Sequence, residues 1–206
     1  MHARSTTFRG KPEAVDAAVA LLRDEVVPAI EQLPGCTGMS LLVDRDTGSC
    51  IGTSAWESLD AMRATEMAVA PYRDRVQQLF QSRPEVREWE IAVLHRVQAV
   101  PADARARVTW TRVPPAQLDQ QLYVFRIGTL PQIEDLPGFC SASLLVDRAT
   151  GTGALAVVYE SAEQLAASRA PASELRTASV EHLGAQVLDV CEFELPIARL
   201  RVPERV

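Results

Sequence analysis

His182 has the widest chemical range of any side chain in this sequence. An imidazole titrates near neutrality, so in a cleft it can act as a base, hold a ligand or take a metal. It stands where Leu79 stands in an earlier, similar stretch, on the apolar stripe of an expected helix, and that phase turns it toward a sheet. The competing reading is a neutral, hydrogen-bonded histidine near a helix end. A metal is the weaker option, because no second histidine lies three or four residues away. Cys36, Cys50, Cys140 and Cys191 contain no CxxC pair. The expectation is no metal, no cofactor, and reduced, partly buried thiols.

Trp56 and Tyr159 are matched aromatics at strand ends. They can line a pocket for a flat apolar ligand or pack in the core where helix meets sheet. Tyr72 and Trp89 add bulk to the same half as Trp56. Arg73 and Arg176 hold matching helix positions. They can attract an anionic group on a ligand, or sit in structural ion pairs on a solvated face. Glu88, Glu90, Glu192 and Glu194 alternate along two matching strands, and crowding there would raise their pKa values. The favoured reading pairs them with arginines as barrel-closing contacts, with Arg4, Arg9, Arg107 and Arg112 as candidates. His95 reads as a strand-end residue near solvent. The pocket candidates are therefore Trp56, Tyr72, Trp89, Tyr159, His182, Arg73 and Arg176, and no catalytic residue is assigned.

The elements that must position these side chains occur twice. Residues 33–48 read LPGCTGMSLLVDRDTG, and residues 136–151 read LPGFCSASLLVDRATG. A constant shift, 33 onto 136, aligns the halves without a gap into the second long helix. One insertion later EWEI (88–91) meets EFEL (192–195). Each half opens with a strand. A proline-led helix follows, with the stripe Val15, Val19, Leu22, Val26 in one half and Leu118, Leu122, Phe125 in the other. Pro28 and Pro131 are expected to end or kink it. A strand, the turn DRDTG or DRATG with glycine free to take positive φ, and a third strand follow. Ser58 or Ser161 then caps a second helix with the stripe Val69, Tyr72, Val76, Leu79. The last strand alternates Trp89, Ile91 and Val93 with polar neighbours.

The order βα–ββα–β is the split βαβ pattern of ferredoxin-like sheets. One such sheet leaves a face uncovered, and two copies can cover each other. The expected class is α+β: two tandem ferredoxin-like (βαββαβ) units forming an intrachain pseudo-dimeric α+β barrel. The units span 1–99 and 107–206, joined by a Pro/Ala linker at 100–106. The halves also differ: MAVAPYRDRV in the first faces APASELRTAS in the second. One working pocket is therefore expected rather than two, with the chemistry around Trp56/Tyr159 and Leu79/His182.

Whole-chain properties narrow the partners. The 206 residues carry a net charge of −6 and no Lys/Arg block, which argues against nucleic acid. No apolar run reaches the roughly 18–20 residues of a membrane span, and the N-terminus lacks a signal-peptide core. A cytoplasmic protein is expected, either a monomer with an internal pseudo-dimer or a homodimer.

The strand and turn SLLVDRDTG, the third strand ending WES, and the helix after it resemble the antibiotic biosynthesis monooxygenase (ABM) domain of the dimeric α+β-barrel superfamily. The resemblance covers both halves and is clearest at 33–60 and 136–163. It implies relatives among cofactor-independent oxygenases of polycyclic aromatics, quinol-type monooxygenases and haem-degrading enzymes, usually as paired chains. The haem-degrading set it implies is an asparagine on the first strand with a tryptophan and a histidine on the second helix. This sequence has no asparagine, and the helical positions fall on Thr65 and Arg75 or on Ser168 and Ala178. The expected function is ABM-like binding of a small apolar or aromatic molecule, extending to cofactor-independent monooxygenation. The alternative is a non-catalytic, stress-related binding or assembly module on the same barrel.

Overall fold

The computed structural model describes residues 1–200, the side chains of Glu181, His182, Leu183 and Leu200 excepted. The chain forms two units. Unit one takes Met1–Trp89 and the end of the last strand from Glu194; unit two takes Glu90–Phe193.

The first half runs β1 (His2–Arg9), α1 (Ala14–Leu21), a π turn (Leu22–Val26), α2 (Val27–Glu31), β2 (Cys36–Asp44), β3 (Ser49–Trp56), α3 (Leu59–Ala64), α4 (Glu66–Phe80) and β4 (Glu85–Arg96). The second half repeats it: β5 (Arg105–Arg112), a 3-10 turn (Pro115–Gln117), α5 (Leu118–Val124), a π turn (Phe125–Thr129), α6 (Leu130–Glu134), β6 (Phe139–Asp147), β7 (Thr152–Tyr159), α7 (Ala162–Ala167), α8 (Arg169–Leu183) and β8 (Gln186–Leu200).

β3 lies between β1 and β2, and β7 between β5 and β6, all antiparallel. The fourth strands are traded. β8 pairs with β2 through Leu41↔Ile197 and Val43↔Glu194, and β4 pairs with β6 through Ile91↔Leu145 and Val93↔Leu144. The eight strands close in the order β1-β3-β2-β8-β5-β7-β6-β4, an α+β barrel built from one chain. Both traded strands slip register, β4 at Ala92 and β8 at Leu195–Pro196. A bulged residue leaves the ladder, so Pro196 is tolerated there without its N–H. The alternation expected around Trp89 and Ile91 stops at the same point, and Ala92, Val93 and Leu94 are all buried.

Pro28 and Pro131 do not end their helices. A proline ring clashes with the carbonyl four residues back and has no N–H to give it. Each helix widens just before its proline instead. Val27 donates to the Leu22 carbonyl and Leu130 to the Phe125 carbonyl, and the helix then continues as α2 or α6. Ser58 and Ser161 cap α3 and α7, accepting from the amides of Ala61 and Gln164. Asp44 and Asp147 fold the two hairpin turns by accepting from the backbone ahead of them. Gly48 and Gly151 close those turns at φ 69°.

Each unit has its own core between helices and sheet. Unit one packs Phe8, Val15, Leu22, Leu41, Trp56, Met62, Val76 and Phe80; unit two packs Val93, Leu118, Leu122, Ile133, Phe139, Val146 and Tyr159.

Candidate functional site

The two units differ most where helices lie over sheet. In unit two a cavity of about 150 Å³ opens under α5, the π turn and α8, against β5–β7. The matching space in unit one is about 50 Å³. Aligned residues explain the difference. Phe8, Cys50, Val69 and Val76 in unit one meet Thr111, Gly153, Ala172 and Ser179 in unit two. Phe8 also stacks on Phe80 with ring centroids 5.6 Å apart, filling the space. Thr111 and Gly153 are direct cross-strand partners, so two small residues meet where unit one sets Phe8 opposite Cys50. The walls of the unit two cavity are mostly apolar, including Leu118, Leu122, Phe125, Leu155 and Val157, with Thr109, Gln121 and Thr129 among them.

The polar end is built around Arg107, 5% exposed. Its Nη1 donates to the Tyr159 hydroxyl at 3.2 Å and to Ser168 Oγ at 3.0 Å. Its Nη2 donates to the Leu165 carbonyl at 2.9 Å and to Glu192 at 2.8 Å. Burial raises the Tyr159 phenol above its ordinary pKa, against the pull of Ser168 and Arg107. It therefore stays a neutral hydroxyl on the cavity wall. Glu192 also takes Arg169 at 2.6 Å, and that contact, with Arg107 behind it, holds its carboxyl below the usual range.

The equivalent cluster in unit one is charged differently. Arg4, 3% exposed, meets Glu66 at 3.0 Å and Glu88 at 3.8 Å. Arg73 grips Glu66 with two bonds, and Arg63 holds Glu88. Three arginines share two glutamates. In unit two the position of Glu66 is Arg169, so Arg107 and Arg169 both turn to Glu192, and among the described residues no second glutamate stands beside Arg176. Arg176 lines the cavity, half-buried, and among the described residues it has no hydrogen bond or ion pair. Burial and then repulsion by Arg107 lower its pKa.

The pocket candidates separate. Tyr159 and Arg176 line the unit two cavity, and Tyr72 and Arg73 the small unit one space. Trp56 is fully buried, donating to Ser54 Oγ, and lines neither. Trp89 donates to Ser5 Oγ at 2.8 Å and lies within the core. The side chain of His182 lies outside the described residues. Its counterpart Leu79 is 38% exposed, and Phe80 takes the buried place, so the expected stripe is one residue out of phase at that end of α4. His95 meets Glu134 at 3.1 Å and stacks on Phe139, matching the Arg199–Glu31 pair of unit one. The strand glutamates pair with arginine: Glu88 with Arg63 and Arg4, Glu90 with Arg148, Glu192 with Arg107, and Glu194 with Arg45. Arg9 meets Glu85 instead. Thr111, Gly153, Ser179 and Arg169 carry the difference between the sites, and the alignment of the halves contains all four.

Among the described residues no cluster of three metal-ligating side chains occurs, and the four cysteines are thiols rather than disulfides. No described helix is long and apolar enough to cross a membrane.

Residues 1–66 match the family model for antibiotic biosynthesis monooxygenase. The uncharacterised protein Rv2558 of Mycobacterium tuberculosis is 50% identical over 207 residues, covering 100% of this chain and 88% of the relative. The uncharacterised protein Rv2557 of the same organism is 46% identical, covering 100% and 92%. Among solved structures, a proposed monooxygenase of Lactobacillus acidophilus superposes with a TM-score of 0.73 at 10% identity, over 97% of this chain and 96% of that one. An anthrone oxidase-like protein gives 0.66 at 14%, over 97% and 93%. At such identities the structures establish the fold alone. The chain therefore belongs to one family with Rv2558 and Rv2557, carries an antibiotic biosynthesis monooxygenase domain at residues 1–66, and repeats that ABM-like fold in tandem within one α+β barrel.

Proposed function

We propose that the chain binds a small apolar or aromatic molecule in unit two. The carrying observation is the apolar cavity of about 150 Å³ there, set against about 50 Å³ in the matching place. Cavities of that size take up a single benzene ring, so the ligand is one ring or a short acyl chain rather than a polycycle. Tyr159 and Ser179 supply hydroxyls to orient it.

The reaction that fits is cofactor-independent monooxygenation of a one-ring quinol, supported by the family and by the pocket's size. Benzene-1,4-diol and O2 give 2-hydroxy-1,4-benzoquinone and water. One oxygen atom enters the ring, the other leaves as water, and the substrate supplies the electrons. The chain's part is to exclude water and hold the ring while oxygen reaches it. Binding is tested by calorimetry with one-ring phenols, quinols and ring acids, and turnover by oxygen uptake with hydroquinones, with anthrone as the oversized control. Ligand-dependent heat abolished by Thr111→Phe supports binding. No heat across the panel removes the proposal, and binding without oxygen uptake leaves the non-catalytic module.

A further inference from the structure

The unit two cavity is matched to an anion. We infer that its ligand carries a negatively charged oxygen, a carboxylate or a phenolate, seated against Arg176 at the polar end of the cavity. This rests on the ligand-binding reading above and names the chemical class within it.

The inference stands on a charge reversal between aligned positions. In unit one Arg73 spends both its terminal nitrogens on Glu66, which also meets Arg4. Each charge of that cluster has an ion-pair partner, although Arg4 Nη1 and Arg73 Nε are buried without a hydrogen bond, and the space beside it is about 50 Å³. In unit two the same position is Arg169, which turns to Glu192 together with Arg107. Glu192 thus serves two arginines, and Arg176 receives no carboxylate among the described residues. Arg176 is half-buried and lines the cavity with Tyr159, Leu175 and Ser179. A guanidinium facing an apolar space loses hydration and needs a counter-charge. Burial and Arg107 together lower its pKa, which is the mark of a cation without compensation.

Two changes separate the units at one place. Loss of Phe8, Cys50 and Val76 makes room for an apolar body, and loss of Glu66 leaves a cation at its edge. A ring acid or a quinol monoanion satisfies both at once. A free inorganic anion would leave the apolar space empty, and a neutral hydrocarbon would leave Arg176 unpaired.

The test compares benzoate with its neutral isostere benzamide by calorimetry at neutral pH, on the whole chain. A nitrophenol titrated above and below its own ionisation separates phenolate from carboxylate. Benzoate or the nitrophenolate should bind roughly ten-fold or more tightly than the matching neutral form, the worth of a charged hydrogen bond. Arg176→Gln breaks no described ion pair, and it should erase that preference, so that benzoate and benzamide bind alike. Arg169→Glu, which restores the unit one arrangement, should erase it as well by giving Arg176 a partner. Equal binding of charged and neutral forms overturns the inference and leaves the ligand-binding reading standing. A preference that survives both variants also overturns it. No binding of any probe removes both.

Discussion

Filling the unit two cavity with the residues of unit one should cost the fold little and abolish its ligand. The variant is Thr111→Phe with Ser179→Val, the residues found at Phe8 and Val76. Taking the cavity from about 150 Å³ toward about 50 Å³ at roughly 24 cal/mol per Å³ gives an upper limit of about 2.4 kcal/mol. Imperfect fit of an inserted ring costs about 1–3 kcal/mol, so the net change expected lies between a gain of about 1.4 kcal/mol and a loss of about 0.6 kcal/mol. Gly153 opposite Thr111 is smaller than the Cys50 opposite Phe8, which leaves the new ring at least the room Phe8 has. The measurement is urea unfolding with and without saturating benzoate. In the parent chain ligand at a hundred times its Kd should add about 2.7 kcal/mol, and in the variant nothing. A variant that is less stable by more than about 2 kcal/mol, or that keeps the ligand-dependent shift, refutes the account of why unit two is open.

Three further outcomes follow from the geometry. Glu192 is held below the usual carboxylate range by Arg169 and Arg107, so its pairing contributes fully above that range and is lost as pH falls through its lower folded pKa. Unfolding free energy should drop on acidification, and Glu192→Gln should flatten that part of the profile; an unchanged slope counts against the pairing. Gly151→Ala should be far worse than Gly184→Ala, although both sit at positive φ. An added Cβ would stand 1.9 Å from the Val113 carbonyl at Gly151 and in open space at Gly184, where only the roughly 1 kcal/mol of left-handed strain remains; similar melting losses would contradict this. Burial pushes the Cys50 thiol up to about 12 and raises Cys140, so thiol reagents should label Cys36 and Cys191 first and the other two only on unfolding; rapid labelling of all four in the folded chain would show that burial is wrong.

Much of the fold was legible because the chain states it twice. The Asp-Arg-Asp-Thr-Gly turn, the serine caps and the period-two strands rest on local chemistry, and each appears where the pattern puts it. The prolines left an end and a kink open, and the end is the one that fails, because a helix can absorb a missing donor by widening one turn and sequence alone does not separate that from an end. Leu79 misled for a simpler reason. After Val76 both Leu79 and Phe80 satisfy helical spacing, and only the neighbouring Phe8 ring decides which is buried. The site was hidden differently. Thr111, Gly153 and Ser179 have no chemical signature; their meaning is the volume they leave, which needs the strand register and the helix above it. Arg169 is a visible charge change, yet it gains significance only once its counterpart Glu66 is found holding Arg4 and Arg73.

The two losses in unit two bear on why a duplicated chain keeps both. An unfilled cavity lowers stability, and so does a cation facing an apolar wall. Drift would scatter such defects over whichever half tolerates them, and a scattered pair has no reason to share a wall. Here both fall within one cavity, and Arg107, Tyr159 and Ser168 at its polar end keep their hydrogen bonds. Unit one supplies the control: with Phe8 against Phe80 and Glu66 against Arg73, the same backbone packs closed. A ligand with an apolar body and an anionic oxygen offsets both losses with the contacts unit one makes internally. On the proposed reading, the ligand of the open copy therefore takes the place of groups the closed copy supplies itself: an aromatic ring where Phe8 stands and a carboxylate-like oxygen where Glu66 stands.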